Sequence, residues 1–204
     1  MRIDARDIAV IRGEDVVLSG LSFAVSSTEA LIIRGANGSG KSTLLRAVAG
    51  LLPLESGSFD VSDADEFGEA SLPELCHYLG HENAMKPGQT LGENLDFWQK
   101  FAGQAHCPVD EALELVGLGG LYDIPYAHLS TGQRRRGAIA RLLVSYRPVW
   151  LLDEPTSGLD AASEEQFAAL MAAHLEDEGI ILAATHVPLG LPESRILDLS
   201  PVNA

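Results

Sequence analysis

The feature that most constrains the fold is a glycine-rich turn, GANGSGKST, at residues 35–43. It follows a short apolar run at residues 30–33, which predicts a buried strand. After the turn, apolar residues at positions 44, 45, 48 and 49 recur at helical spacing until Gly50, where we expect the helix to end. A strand, a glycine-rich turn and a helix start in this order form the local context that a phosphate-binding loop requires.

The residue types in this turn suit a nucleotide with a triphosphate chain. Glycines let backbone N–H groups point at phosphates without a side chain in the way, and the helix N-terminus adds partial positive charge. Lys41 can reach the β- and γ-phosphates, and the Ser42 hydroxyl can ligate Mg²⁺. The predicted nucleotide-binding residues here are Gly35, Asn37, Gly38, Ser39, Gly40, Lys41, Ser42 and Thr43.

A second apolar run, at residues 149–152, ends in the two carboxylates Asp153 and Glu154. A carboxylate at the end of a central strand can hold Mg²⁺ beside a phosphate loop, so Ser42 and Asp153 are the predicted metal ligands. Glu154 is placed to polarise an attacking water. Because many strands end in acidic residues, this prediction depends on the phosphate loop that precedes it in the chain.

A helix start is predicted at residues 129–134, LSTGQR, where Ser130 and Gln133 have the spacing of a capping box. One interpretation is a well-capped helix and nothing more. The other is that this helix N-terminus binds phosphate through Ser130 and backbone N–H groups. The helix would bury one apolar stripe, formed by Ile139, Leu142, Leu143 and Tyr146.

Composition narrows the classes of partner. The formal net charge is -15, from 14 Lys+Arg against 29 Asp+Glu, which disfavours nucleic acid as a partner. In so acidic a chain, the basic run at residues 134–136 indicates a solvated face or interface ion pairs. The chain shows neither a signal-peptide core nor an apolar run of the ~18 residues that cross a bilayer. We therefore expect a soluble chain whose membrane role, if it has one, is peripheral.

Five motifs in this order resemble the ATP-binding cassette (ABC) family: residues 35–43, 129–133, 149–154, 157–160 and 184–186. The resemblance spans residues 3–199. It implies an ATPase that uses ATP and Mg²⁺, with an α/β P-loop NTPase core in a single domain, 1–204. It also implies an N-terminal antiparallel β segment at about residues 2–25 and an inserted helical subdomain at about residues 84–147.

In this family two cassettes pack head to tail, and each ATP lies between one phosphate loop and the signature motif of the other cassette. The resemblance therefore implies that Ser130, Gly132 and Gln133 serve the partner's nucleotide and that Asp160 links the two sites. His186, after a predicted strand at residues 180–185, would contact the γ-phosphate and hold the attacking water. Since the chain has one signature, we expect activity to require a homodimer.

Three positions depart from the family pattern. Thr131 stands in the signature where glycine is common. Arg12 falls where an aromatic ring usually stacks on adenine; a guanidinium can also stack, so we expect weaker nucleobase selectivity. His81 falls where a glutamine usually touches Mg²⁺ and the attacking water. A histidine there is neutral or charged near physiological pH, so His81 is a candidate catalytic residue with an open role.

The local sequence of residues 79–98 and 129–136 resembles a narrower group, the ATP-binding subunits of the bacterial exporter for cytochrome c maturation. One departure is Glu82, which stands where a glutamine is frequent in that group. That implies a peripheral subunit on the cytoplasmic face of the inner membrane, with CcmB-like and CcmC-like membrane subunits, whose ATPase cycle releases the haem-loaded chaperone CcmE. Other possibilities are the ATPase of a different importer or exporter, a soluble non-transport ABC ATPase, and a nucleotide-binding regulator that does not hydrolyse.

Three aromatic residues, Phe97, Trp98 and Phe101, follow the His81 segment at helical spacing. One prediction places them in the core of the helical subdomain. The alternative is a groove that receives a cytoplasmic helix of a membrane partner.

Overall fold

In the computed structural model the described residues, 1–191 and 194–199, form eight strands and five α-helices, numbered here in chain order. The strands are β1 (Arg2–Arg12), β2 (Asp15–Ser26), β3 (Ala30–Arg34), β4 (Ser56–Ser62), β5 (Cys76–Leu79), β6 (Val149–Asp153), β7 (Ile180–Ala184) and β8 (Arg195–Asp198). The helices are α1 (Lys41–Val48), α2 (Leu91–Ala102), α3 (Val109–Leu115), α4 (Thr131–Val144) and α5 (Ala161–Glu176). No helix in this described part is long and apolar enough to cross a membrane.

The predicted N-terminal antiparallel segment is a three-stranded sheet in the order β2-β1-β4. Ile3 lies opposite Val25 on one side and opposite Val61 on the other. The third strand, β4, was not predicted from the sequence. It is short of apolar residues and mostly exposed, so its pattern resembles a loop.

The second sheet is five-stranded, in the order β5-β6-β7-β3-β8, and all four of its strand pairs are parallel. Every residue of β6 and of β7 is buried, which explains why these strands are almost continuously apolar in the sequence. Because neighbouring parallel strands end at the same edge, the segments that follow β3, β6 and β7 meet there.

Helix α1 joins the phosphate turn to the core of the parallel sheet. Its Leu44 and Leu45 are fully buried, in one apolar cluster with Leu151 of β6 and Leu182 of β7. Burial of a leucine side chain stabilises the fold by about 1.5–3 kcal/mol. The start of α1 is therefore fixed to the sheet that carries Asp153.

The chain divides into two compact units, each described here by itself. The first contains residues 1–80, 148–155 and those from 171 onward, and holds both sheets and α1. The second contains residues 81–147 and 156–170. In this second unit α4 packs against both α2 and α3. The boundaries of a helical subdomain at 84–147, and of a single domain over 1–204, stay predictions.

One expectation for α4 is wrong. Tyr146 does not continue the apolar stripe, because the helix ends at Val144 and Ser145 is extended. The basic run is only partly solvated: Arg134 and Arg136 are half-buried, and Arg135 is only 5% exposed and donates to the Asn83 side chain. Burial, and then the charge of Arg135, lower the pKa of Arg141 to about 10. Two arginines of α4, Arg135 and Arg141, are therefore buried within the second unit.

The aromatic residues of α2 are not core residues either. Phe97 is 40% exposed and Phe101 72% exposed, which contradicts the prediction that they lie inside the helical subdomain. Trp98 is half-buried, donates to the carbonyl of Ala84 and lies 4.6 Å from the guanidinium of Arg141. The three rings contact each other at centroid distances of 5.7–5.8 Å, and we call them the α2 aromatic cluster.

Candidate nucleotide-binding and hydrolysis site

The phosphate turn lies between β3 and α1, and its backbone requires glycine. Gly35, Gly38 and Gly40 have φ angles of 149°, 83° and 98°, a region that favours glycine. A Cβ at Gly35 would collide with Ser39 Oγ. That hydroxyl is buried without a hydrogen-bond partner among the residues that the structure describes. The turn therefore brings polar groups inward, as a loop that wraps phosphates must.

Lys41 lies at the first position of α1 and is only 9% exposed. Its ammonium donates to the carbonyls of Gly35 and Ala36 at 2.9 and 3.0 Å. These bonds hold the cation inside the turn that would surround the phosphates. Because phosphate oxygens are stronger acceptors than neutral carbonyls, a bound triphosphate would compete for the same ammonium hydrogens.

The two predicted metal ligands meet across the first unit. The Ser42 hydroxyl donates to Asp153 Oδ1 at 2.9 Å, and Asp153 is 5% exposed. Oxygen donors from one hydroxyl and one carboxylate are the ligands that Mg²⁺ prefers when it is shared with substrate phosphates. The residues present therefore fit Mg²⁺, which Ser42 and Asp153 would hold.

Asp153 has a second hydrogen-bonding neighbour that the sequence did not indicate. The hydroxyl of Tyr78, on β5, donates to Asp153 Oδ2 at 3.2 Å, and Arg46 Nε donates to the same tyrosine oxygen at 3.3 Å. Burial raises the pKa of Tyr78. No local pattern marks this contact, because it depends on the pairing of two strands that are about 70 residues apart.

Glu154 and His186 lie side by side at the same sheet edge. Glu154 Oε1 is 3.7 Å from His186 Nε2, and both side chains are partly exposed. Glu154 has a φ of 43°, which is uncommon for a residue with a side chain, and its N–H donates to the carbonyl of Ala184 at 2.9 Å. The sheet thus holds the glutamate backbone in a strained conformation, which is frequent at active sites.

An open cleft of about 430 Å³ lies at the phosphate turn. The phosphate turn and the first turn of α1 form one wall, Asp153 and Glu154 lie beside them, and Arg12 and Val17 contribute from the antiparallel sheet. The volume is in the range usual for small-molecule sites. The structure therefore places Arg12 at the same cleft as the phosphate turn, where the sequence predicts contact with the nucleobase.

The signature residues lie in the second unit, at the start of α4. Ser130 is the N-cap, and its hydroxyl accepts from the Gln133 N–H at 3.2 Å while the Gln133 side chain accepts from the Ser130 N–H at 2.9 Å. A Cβ at Gly132 would lie 3.4 Å from the carbonyl of Gly158. The signature and the 157–160 motif are therefore neighbours within this unit.

Asp160 and His81 also belong to the second unit. Asp160 accepts from the Ser163 N–H at 2.9 Å at the start of α5, and hydrogen bonds from Ser163 lower the pKa of the Asp160 carboxyl. His81 is exposed, on a segment without regular secondary structure. The roles of Asp160 and His81 at a nucleotide stay predictions.

The comparisons with known proteins agree with this geometry. Residues 18–157 match the family model described as ABC transporter. The chain is 55% identical to the cytochrome c biogenesis ATP-binding export protein CcmA of Chelativorans sp. (strain BNC1), with all of both chains covered. It is 50% identical to the protein of the same name from Brucella abortus (strain 2308), over 94% of this chain and 88% of the relative.

A solved structure gives the same fold. The dimeric structure of MJ0796, a bacterial ABC transporter cassette, superposes with a TM-score of 0.82 at 23% identity and covers 97% of this chain and 94% of that one. The predicted α/β fold, with a P-loop core and an antiparallel sheet, is thereby confirmed. The chain belongs to the ABC transporter family as an ATP-binding cassette ATPase, within the group of cytochrome c biogenesis export proteins named CcmA.

Proposed function

We propose that this chain is the ATP-hydrolysing subunit of the membrane complex for cytochrome c maturation, and that it acts as a homodimer with two Mg²⁺-ATP sites. The observation that carries the hydrolytic part is the meeting of Ser42, Asp153, Glu154 and His186 at one end of the parallel sheet. The full-length similarity to CcmA proteins supports the biological role.

In the proposed mechanism, the backbone amides of the phosphate turn and Lys41 bind the triphosphate. Ser42 and Asp153 would hold Mg²⁺, which would supply positive charge beside the phosphates. Glu154 accepts a hydrogen bond from the attacking water and polarises it, and His186 holds the same water near the γ-phosphate. General-base assistance of this kind contributes about 10²–10⁴-fold to the rate.

The second copy of the chain supplies the signature residues of each nucleotide site. Ser130, Gly132 and Gln133 of one copy would contact the γ-phosphate bound by the other copy, as the dimeric arrangement of the solved cassette supports. The Ser130 hydroxyl accepts from Gln133 within its own helix, and its hydrogen remains available for a phosphate oxygen. His81 and Asp160 would complete the site near the metal and at the dimer interface.

At the membrane, we propose that the chain lies at the cytoplasmic face of the bacterial inner membrane against CcmB-like and CcmC-like subunits. Its ATPase cycle would drive release of the haem-loaded chaperone CcmE, without contact between haem and this chain. The α2 aromatic cluster is the candidate docking surface, since a 72%-exposed phenylalanine at position 101 has no evident role inside the unit. Exposed aromatic side chains of this kind are frequent anchors in protein interfaces.

A pull-down from solubilised membranes tests this assignment. The bait is the Glu154→Gln protein with Mg²⁺-ATP, which should retain the nucleotide-bound dimer. Recovery of a CcmB-like protein with a CcmC-like protein is the expected result. Recovery of an unrelated permease would leave the ATPase and remove the cytochrome c assignment, and recovery of ribosomes or DNA would overturn the transporter class.

The docking surface has its own variant pair. Phe101→Asp should fold and bind ATP but lose the membrane subunits in the pull-down. Leu115→Asp is the matched control, because Leu115 is a 40%-exposed apolar residue on α3 of the same unit. Retention of the membrane subunits by Phe101→Asp, or equal loss in both variants, would contradict the proposed surface.

A further inference from the structure

We propose that Tyr78 is a positioning residue for the Mg²⁺ site: its hydroxyl fixes the orientation of the Asp153 carboxylate, and Arg46 in turn fixes that hydroxyl. The inference rests on the proposed use of Mg²⁺-ATP. It adds two residues, Tyr78 on β5 and Arg46 on α1, that lie outside the five motifs.

The carboxylate of Asp153 is held at both oxygens. Ser42 donates to Oδ1 at 2.9 Å, and Tyr78 donates to Oδ2 at 3.2 Å. Two donors on different oxygens restrict rotation of the carboxylate plane. The carboxylate therefore keeps a fixed orientation beside Ser42, the other predicted metal ligand.

The direction of the Tyr78 hydroxyl is itself set by a cation. Arg46 Nε donates to the tyrosine oxygen at 3.3 Å, so this oxygen acts as an acceptor toward the guanidinium. A phenol has one hydrogen, and the neighbouring carboxylate oxygen is its acceptor. The order Arg46, Tyr78, Asp153 is therefore a chain of hydrogen bonds with one direction.

The fold places each member of this chain. Arg46 lies four residues after Ser42 on α1, so both side chains project from one face of the helix. Tyr78 pairs with Leu151 in the parallel register of β5 and β6, two residues before Asp153. The long tyrosine side chain spans that offset. The metal ligands and their support thus come from three elements of the same unit.

The tyrosine ring lies directly against Gly80. A Cβ at Gly80 would lie 2.8 Å from Tyr78 Cε1, closer than real Cβ contacts allow. The ring therefore occupies the space that a side chain at position 80 would fill. This gives a physical reason for the glycine in the sequence Leu79-Gly80-His81 that does not involve backbone conformation.

The support matters because Mg²⁺ requires near-ideal octahedral geometry and tolerates misplaced ligands poorly. Residues that orient metal ligands through hydrogen bonds typically change metal affinity by 10–100-fold when they are removed. Tyr78 supplies one such bond to one of two protein ligands. We therefore expect an effect near the lower end of that range.

The test is Tyr78→Phe, which removes the hydroxyl and keeps the ring. The dissociation constant of a fluorescent ATP analogue is measured with Mg²⁺ and, separately, with EDTA. We expect the gain in affinity that Mg²⁺ provides to fall about tenfold, while binding in EDTA stays unchanged. Tyr122→Phe is the matched control, because it removes a tyrosine–carboxylate hydrogen bond of 2.6 Å to Asp96 in the other unit.

A second variant keeps the hydroxyl but displaces the ring that carries it. Gly80→Ala should displace Tyr78 and lower the Mg²⁺-dependent gain in the same direction, again without effect in EDTA. Equal weakening with and without Mg²⁺ would overturn the inference, since it would show a role in the fold instead. An unchanged Mg²⁺ gain in Tyr78→Phe would overturn it as well. If the wild-type protein binds ATP no more tightly with Mg²⁺, the proposed function fails and the inference with it.

Discussion

Two helix N-termini, those of α1 and α4, are predicted to contact phosphates, and they are built in opposite ways. Helix α1 begins after Gly40, which has a left-handed backbone conformation, and no side chain of the described residues caps this helix. Helix α4 begins after Ser130, which forms a full capping box with Gln133. The first end leaves its backbone donors open, and the second satisfies its own.

This difference indicates that the two helix ends have different roles in nucleotide binding. The open end, with Lys41 beside it, can bind the triphosphate through unsatisfied N–H groups and a buried cation. The capped end gains about 1 kcal/mol of helix stability from its box. The capped end can donate the Ser130 hydroxyl hydrogen to a phosphate, together with only those backbone N–H groups that the capping box does not satisfy. We therefore expect α1 to set nucleotide affinity, and α4 to set dimer closure.

The largest expected effect concerns the chemistry beside the open end. Glu154→Gln should lower the hydrolysis rate by about 10²–10⁴-fold, because the amide cannot accept a proton from the attacking water. ATP affinity should stay near that of the wild type, as measured by equilibrium binding. A variant that hydrolyses ATP at more than a tenth of the wild-type rate would exclude Glu154 as the general base.

The next effect tests the cation at the open end. Lys41→Ala should weaken ATP binding by roughly 10–100-fold, the range expected from losing charged hydrogen bonds worth about 1.5–3 kcal/mol. Lys100→Ala, at an exposed position on α2, is the control for the loss of one positive charge. Equal losses in both variants would mean that net charge, and not the site, determines affinity.

A pair of capping variants separates stability from phosphate binding at the capped end. Ser130→Ala and Thr90→Ala each remove a capping box, at α4 and α2, and each should cost about 1 kcal/mol in the free energy of unfolding. Only Ser130→Ala should also weaken ATP-driven dimerisation of the Glu154→Gln protein in sedimentation experiments. Loss of dimerisation in both variants would indicate that Ser130 acts only as a structural cap of α4.

The smallest expected effect concerns the base. Arg12→Ala should weaken ATP binding only a few-fold, since stacking of a guanidinium at an exposed site contributes about 0.5–1 kcal/mol. The wild-type protein should bind GTP and ATP with similar affinity in competition experiments. A strong preference for ATP that disappears in Arg12→Ala would show instead that Arg12 selects the base.

Much of the fold could be predicted because local signals and burial agree. The apolar runs at β3, β6 and β7, and the box at Ser130, each have a signature of their own in the sequence. The prediction failed where distant contacts decide the outcome. Strand β4 pairs with β1 although it has few apolar residues of its own, and the buried Arg135 donates to Asn83, which is far from it in the chain.

In the candidate site too, local motifs could be predicted and distant contacts could not. The motifs predicted Lys41, Asp153 and Glu154, which line the cleft, and they predicted His186, which lies beside Glu154. They did not indicate Tyr78, whose contact with Asp153 arises from strand pairing and from the space at Gly80. Residues that only orient a catalytic group have no fixed spacing from it, so no motif reveals them.

The central claim is that one catalytic site needs the open end of one copy and the capped end of another. Two variants test it, assayed at an ATP concentration near the wild-type dissociation constant, where each alone should be nearly inactive. They are Lys41→Ala, and Gly132→Asp, which places a carboxylate in the first turn of α4, where a negative charge suits the helix but repels a phosphate. Mixed in equal amounts, the two should regain ATPase activity, to roughly a quarter of the wild-type level if a symmetric dimer assembles at random. A mixture as inactive as either variant alone would contradict the shared site.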